Sequence, residues 1–183
     1  MTTTDKNKQN ITKICVTALF IALAFVATMY ISVPIPLGYA NLGGSVLLFA
    51  GYFFGSTTGF LVGGIGSALA DLALGYTIWA PFTLIIKGGA GIVAGLSKKN
   101  DKAYSVKTFI SAVISMVVVV IGYIIGGAII EIISGADIKA AVVTGIASGA
   151  SLSIEAVVNL VLFMALASAA SAAGLKRLIN KNM

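Results

Sequence analysis

The 183-residue sequence has no histidine, one cysteine (Cys15), one tryptophan (Trp79) and three prolines, and only 10% of its residues are charged. Without histidine there is no catalytic triad of the usual kind, no His-ligated metal and no imidazole proton relay. A lone cysteine makes neither an internal disulfide nor a Cys-rich metal site. The phosphate-binding pattern Gly-x-x-x-x-Gly-Lys-Ser/Thr is also missing, which removes that route to ATP hydrolysis. What is present is apolar: 58% of residues are hydrophobic and the mean hydropathy is +1.04. Soluble domains carry about 25% charged and about 45–50% apolar residues, and no water-soluble core of this size hides so much apolar surface. The composition indicates an all-α integral membrane protein with room for about six spans of ~20 residues. It is too short for the two repeated halves of a conventional secondary transporter.

Residues 14–70 contain no Asp, Glu, Lys or Arg, and further charge-free runs cover 72–86, 88–97, 108–130, 140–154 and 156–175. Turn signals divide them. Pro34 and Pro36 end the first segment, Gly55–Gly59 and Gly75–Thr77 offer turns, 97–102 is a polar loop, and Ser134–Asp137 closes the fifth segment. The spacing predicts six helices, at about 12–31, 42–55, 58–75, 79–96, 107–132 and 148–175. Irregular backbone at 31–41 and 134–147 is expected on one side of the membrane. The whole chain, 1–183, reads as a single membrane domain: a tail at 1–11, a bundle at 12–175 and a tail at 176–183. Ten of the twelve basic residues fall before helix 1, between helices 4 and 5, or after helix 6. By the positive-inside rule both termini are cytoplasmic. The apolar stretch Ile14–Ile31 is longer than a signal-peptide core and reads as an uncleaved first helix. The net charge of +6 reports topology and contact with anionic lipid; the basic residues form no aromatic-interleaved patch for nucleic acid.

Small residues recur at every fourth position: Gly51, Gly55, Gly59 and Gly63; Gly91 and Gly95; Gly122 and Gly126; Ala165, Ala169 and Ala173. Such stripes let helix backbones approach closely in lipid, and the expectation is a tightly packed bundle. Ala18 and Ala22 on helix 1 fit either internal packing or a docking surface for a second membrane protein.

Charge inside a membrane must face protein or water. Depth arithmetic brings Asp71, Lys87, Glu155 and Asn159 into the outer half of the bundle, with Glu155 and Asn159 one turn apart on a shared helix face. Two readings stay open: a buried ion pair of Lys87 with Asp71 or Glu155, or a polar ligand pocket. Tyr30, Tyr39, Tyr76 and Trp79 lie at the same level, as an interfacial aromatic belt or a stacking wall for a flat ring. Asn41 either caps helix 2 or bonds a ligand. Glu131 reads as a solvated helix end. Such a set suits a small, flat, polar molecule that is neutral or weakly basic. No catalytic residue and no metal-ligand set emerges; an intramembrane enzyme built on Asp71 and Glu155 is the competing class, and a bundle whose polar residues serve packing alone is the third.

The stretches Asn41-Leu42-Gly43-Gly44, Gly51-Tyr52-Phe53-Phe54-Gly55, Gly63 to Asp71, Trp79-Ala80-Pro81-Phe82-Thr83 and Lys87-Gly88-Gly89-Ala90-Gly91 resemble the substrate-binding S components of energy-coupling factor (ECF) vitamin transporters, over essentially the whole chain. Among them the chain looks nearest the hydroxymethylpyrimidine and pyridoxine type. The resemblance implies a cell-membrane protein, bacterial and multi-pass, that captures a vitamin from outside and carries it inward by toppling. Its partners would be a transmembrane coupling subunit and two ATPase subunits that use ATP and Mg; the chain itself would hold no cofactor. It further implies that Ala18 and Ala22 touch the coupling subunit, that 31–41 is a lid, and that Glu155 and Asn159 bond the substrate. Tyr39, Asn41, Asp71, Trp79 and Lys87 complete the expected pocket. One Trp and no His depart from thiamine-type sites; riboflavin and pantothenate stay open, with Lys87 a partner for the pantothenate carboxylate.

Overall fold

The long charge-free runs become helices because a chain without water around it satisfies its amides within the segment. The computed structural model describes residues 3–35, 38–98 and 105–182. Helix α1 (Thr3–Tyr30) leads into an antiparallel hairpin, β1 (Ser32–Ile35) and β2 (Gly38–Asn41), followed by α2 (Gly43–Phe54). Then α3 (Ser56–Phe60), a π-helical segment (Leu61–Gly66) and α4 (Ser67–Ala73) follow one another without a break. The chain ends with α5 (Ala80–Gly95), α6 (Val106–Ile133), α7 (Ile138–Ala172) and the short α8 (Leu175–Asn182).

Three of these helices are long and apolar enough to cross a membrane by length and composition: Asn7–Tyr30, Val106–Ile133 and Ile138–Ala172. Their outward faces carry isoleucine, leucine and valine, as in Leu19, Ile121 and Ile154. Helix α2, with 12 residues, spans only about 18 Å, but all but one of its residues are buried in protein. It need not match the thickness of a bilayer.

Helix α5 lies at the centre, packed on α2, on the continuous stretch α3 to α4, and on α6. Glycine makes that closeness possible. A Cβ on Gly51 would stand 2.8 Å from the Ala94 Cβ, and one on Gly59 would collide with the Gly91 carbonyl. The expected stripes on α2, α3 and α5 therefore pack against each other inside the bundle. The stripe Ala165, Ala169 and Ala173 does not; these residues are exposed, and α7 packs through Phe163 and Ala167 instead.

Several boundaries differ from the sequence reading. The last long helix begins at Ile138, not 148, because the Asp137 carboxylate caps it by accepting from the Lys139 amide at 3.0 Å. The irregular segment expected over 134–147 shrinks to a turn around Gly135, where φ is +94° and Ala136 N–H donates to Glu131 O at 3.0 Å. Within 31–41, Ser32–Ile35 and Gly38–Asn41 pair as antiparallel strands rather than forming irregular backbone. The tail expected at 1–11 is helical from Thr3, the one expected at 176–183 is largely α8, and the break after α2 is confined to Gly55. The polar loop expected at 97–102 lies, from residue 99 on, outside the described residues.

One end of the bundle collects basic side chains. Lys98 donates to Phe54 O at 3.1 Å, filling a carbonyl left open at the end of α2. Lys176 of α8 reaches Lys98 O at 3.5 Å and lies 4.1 Å over the Tyr52 ring. The hairpin lies away from it, with Asp71 and Glu155 beside Tyr39 and Asn41.

Candidate functional site

The hairpin register pairs Ser32 with Asn41 and Pro34 with Tyr39. Because strand side chains alternate, Tyr39 and Asn41 point to the same face, and that face looks into a cleft. Tyr39, Asn41, Asp71, Tyr76, Trp79, Thr83, Tyr123, Ser148, Leu152 and Glu155 line it. The cleft is thus built from the hairpin, α4, the turn before α5, and α5 to α7.

Asp71 is buried near the end of α4. Its Oδ1 accepts from the Tyr39 hydroxyl at 2.5 Å, and the Thr83 hydroxyl also acts on the carboxylate, while Oδ2 makes no well-formed hydrogen bond. The turn that follows is fixed by Tyr76 N–H donating to Asp71 O at 2.8 Å, with Gly75 at φ +85°. This brings the Tyr76 ring to 5.1 Å from that of Tyr39. Burial, and then the bond to Asp71, hold the Tyr39 phenol far above its ordinary pKa, so it stays a neutral donor. On the other wall, Trp79 lies 5.7 Å from Tyr123, whose hydroxyl is 2.9 Å from that of Thr83. Ser148, on the first turns of α7, is buried with its hydroxyl unpartnered.

Behind the cleft sits a second layer of polar groups. The Asn41 Oδ1 accepts from Gly43 N–H at 2.9 Å and from the Lys87 ammonium at 3.0 Å. Asn159 accepts from Ser45 N–H at 2.7 Å and donates to Asn41 O at 2.9 Å and to Glu155 O at 3.0 Å. Asn159 therefore ties α7 to the base of the hairpin and the start of α2. Lys87 and Asn159 are each 1% exposed, and neither lines the cleft.

Of the seven residues expected in a pocket, the fold brings Tyr39, Asn41, Asp71, Trp79 and Glu155 to the cavity wall and places Lys87 and Asn159 one layer back. The hydrogen bond of the Lys87 ammonium goes to an amide oxygen, with Glu155 and Asp71 acting on it through space. Glu155 lies near the middle of α7 rather than near its outer end, a consequence of the earlier helix start. Tyr30 is exposed and faces away. Thr83, Tyr123, Ser148 and Leu152 were not anticipated. Tyr123 carried a usable signal, a polar-tipped aromatic deep in an aliphatic helix, while Ser148 had none that set it apart from neighbouring serines.

On helix α1, Ala18 and Ala22 are exposed, on the side away from buried Thr17, Ala24, Ala27 and Thr28. They do not serve packing within the described bundle.

A protein-family model described as "ECF-type riboflavin transporter, S component" matches residues 8–171. The thiamine precursor transporter HmpT of Lactococcus lactis subsp. cremoris (strain MG1363) is 32% identical over 126 residues, which cover 66% of this chain and 70% of that protein. An uncharacterized protein in a gap 3′ region of Pyrococcus woesei is 40% identical over 101 residues, 54% of this chain and 67% of that one.

Proposed function

The chain belongs to the ECF-type S component family, the substrate-binding subunits of membrane transporters, and from that premise we propose that it captures a small, single-ring vitamin or vitamin precursor in the cleft around Asp71. The observation that carries this reading is a pair of buried polar atoms without a well-formed hydrogen bond, Asp71 Oδ2 and Ser148 Oγ, on the walls of one cavity. Buried polar groups are almost always matched, and a ligand with a donor on one edge and a hydroxyl arm on another matches both. Tyr76, Trp79 and Tyr123 supply apolar faces for its ring. Hydroxymethylpyrimidine and pyridoxine have this shape and pattern. The name of the similar lactococcal transporter favours a thiamine precursor.

A second reading, riboflavin, is favoured by the description of the matching family model. The three-ring flavin and its polyol chain ask for a longer cavity. Equilibrium binding of hydroxymethylpyrimidine, pyridoxine, riboflavin and pantothenate to the purified chain separates the two. In the first reading Ser148→Ala weakens hydroxymethylpyrimidine binding by about 1 kcal/mol, close to fivefold, with an unchanged melting temperature. Binding of riboflavin with no competition from the single-ring compounds overturns it.

Six spans, with the basic end of the bundle in the cytoplasm, complete the proposal. The cleft then opens outward beneath the hairpin. ATP is hydrolysed by partner subunits, reached through a coupling subunit that docks on α1. Exposed Ala18 and Ala22, one turn apart, allow a partner helix to approach closely. Ala18→Trp is expected to abolish copurification with the coupling subunit while ligand affinity is retained. Intact assembly and uptake in that variant contradict the docking assignment.

A further inference from the structure

We infer that the π-helical segment Leu61–Gly66 is the positioning element for Asp71: it takes up one residue in excess of a regular helix and so turns the carboxylate into the cleft. The stretch from Ser56 to Ala73 runs antiparallel along α5, with Gly59 against Gly91, Gly63 against Lys87 O and Gly64 against Leu84 O. Each residue of a regular α-helix turns by about 100°. From Gly59 to Asp71 that adds up to about 1200°, which leaves Asp71 about 120° away from the face that packs on α5. One residue absorbed in a wide turn takes back about 100° and leaves about 20°. The side chain then meets Tyr39 beside Thr83 of α5, where the structure has it.

The wide turn is held from two sides. A Cβ on Gly63 would lie 2.6 Å from Lys87 O and one on Gly64 2.8 Å from Leu84 O, while a Cβ on Gly66 would lie 2.8 Å from the Ala24 Cβ on α1. Three glycines in Leu61-Val62-Gly63-Gly64-Ile65-Gly66 thus let the segment lie against both neighbouring helices. Flanking residues Phe60 and Ser67 keep ordinary helical dihedrals, so the irregularity is confined to this turn. Segments of this type are rare and concentrate at functional sites. The functional meaning of the inference rests on Asp71 contacting the ligand; its geometry does not.

A residue held in excess is one that can be removed. Deleting Ile65, a half-buried residue of the segment, lets the helix close into regular form while Gly59 and Asp71 keep their places. Inserting one alanine after Ala68 adds a second excess residue and swings Asp71 by about 100°. Two readouts follow each change. With Asp71 intact, hydroxymethylpyrimidine affinity is measured beside Asp71→Asn. With Asp71→Cys in a Cys15→Ser background, a hydrophilic thiol reagent is applied from outside to intact membranes.

The Ile65 deletion is expected to label as the parent does and to bind within about threefold of it. The alanine insertion is expected to lose labelling and to fall to the affinity of Asp71→Asn. Loss of labelling in the deletion, its failure to accumulate in the membrane, or full labelling in the insertion overturns the inference. If labelling behaves as expected while Asp71→Asn binds like the parent, the positioning stands and the ligand-contact reading falls.

Discussion

Asn41→Ala is expected to destabilise the bundle by about 1.5–3 kcal/mol, the cost of removing the hydrogen-bond acceptor of a buried charged group. The Asn41 amide oxygen is the acceptor for the Lys87 ammonium at 3.0 Å and for Gly43 N–H at 2.9 Å, and Lys87 is 1% exposed. Truncation strands both donors in the protein interior. Lys87→Met is expected to cost far less, because an apolar side chain of similar length replaces the cation and its desolvation penalty together. The decisive comparison is the double variant. Adding Lys87→Met to Asn41→Ala should recover a large part of the lost stability, measured by thermal or denaturant unfolding in detergent. Simple additivity of the two losses contradicts the account of Asn41 as the acceptor that makes a buried lysine tolerable. Both variants also move the hairpin base, so ligand affinity is expected to fall with stability in Asn41→Ala.

Asp71→Asn is expected to separate affinity from stability in the opposite way. The amide oxygen of asparagine still accepts the Tyr39 hydroxyl, so the contact at the hairpin survives and the melting temperature changes little. What is lost is a charge-capable acceptor at Oδ2, the atom without a well-formed hydrogen bond. Hydrogen bonds to charged groups contribute about 1.5–3 kcal/mol, so affinity for the ligand should drop by roughly 10–150-fold. Titration of hydroxymethylpyrimidine against both proteins measures it. Equal affinities mean that the ligand does not touch Asp71.

Much of the architecture was legible because charge is so scarce. In a chain with six acidic residues, charge-free runs divided by turn signals show where helices lie, and intramembrane polar residues mark places where helices meet. That is why the sequence alone assigns Asp71, Glu155 and the aromatic residues near the hairpin to one level. The partners were not legible. Depth along a helix brings Lys87 near two carboxylates but cannot show that the Asn41 amide stands nearer, because that contact depends on where the hairpin places Asn41. Asn159 shares a face with Glu155, yet its amide is consumed by Asn41 and Ser45 main chain rather than left for a ligand.

Two errors of boundary have local causes. The turn signal Ser134–Asp137 led to irregular backbone being expected over 134–147, although an aspartate followed by a run free of proline is also a helix N-cap. The π-helical segment is invisible to a pattern of apolar residues, since its glycines read equally well as a small-residue stripe. The outward-facing alanines of α7 show the limit of that stripe rule: spacing says that two backbones can approach, but not which helix, if any, is there.

The most direct test of the central claim is mass spectrometry of the small molecules released from the gently purified, unwashed protein. A single-ring pyrimidine or pyridine alcohol in stoichiometric amount is the predicted result. Stoichiometric riboflavin in its place, or a protein that releases nothing and binds no member of a vitamin panel, contradicts the cleft around Asp71 and Ser148 as a single-ring capture site.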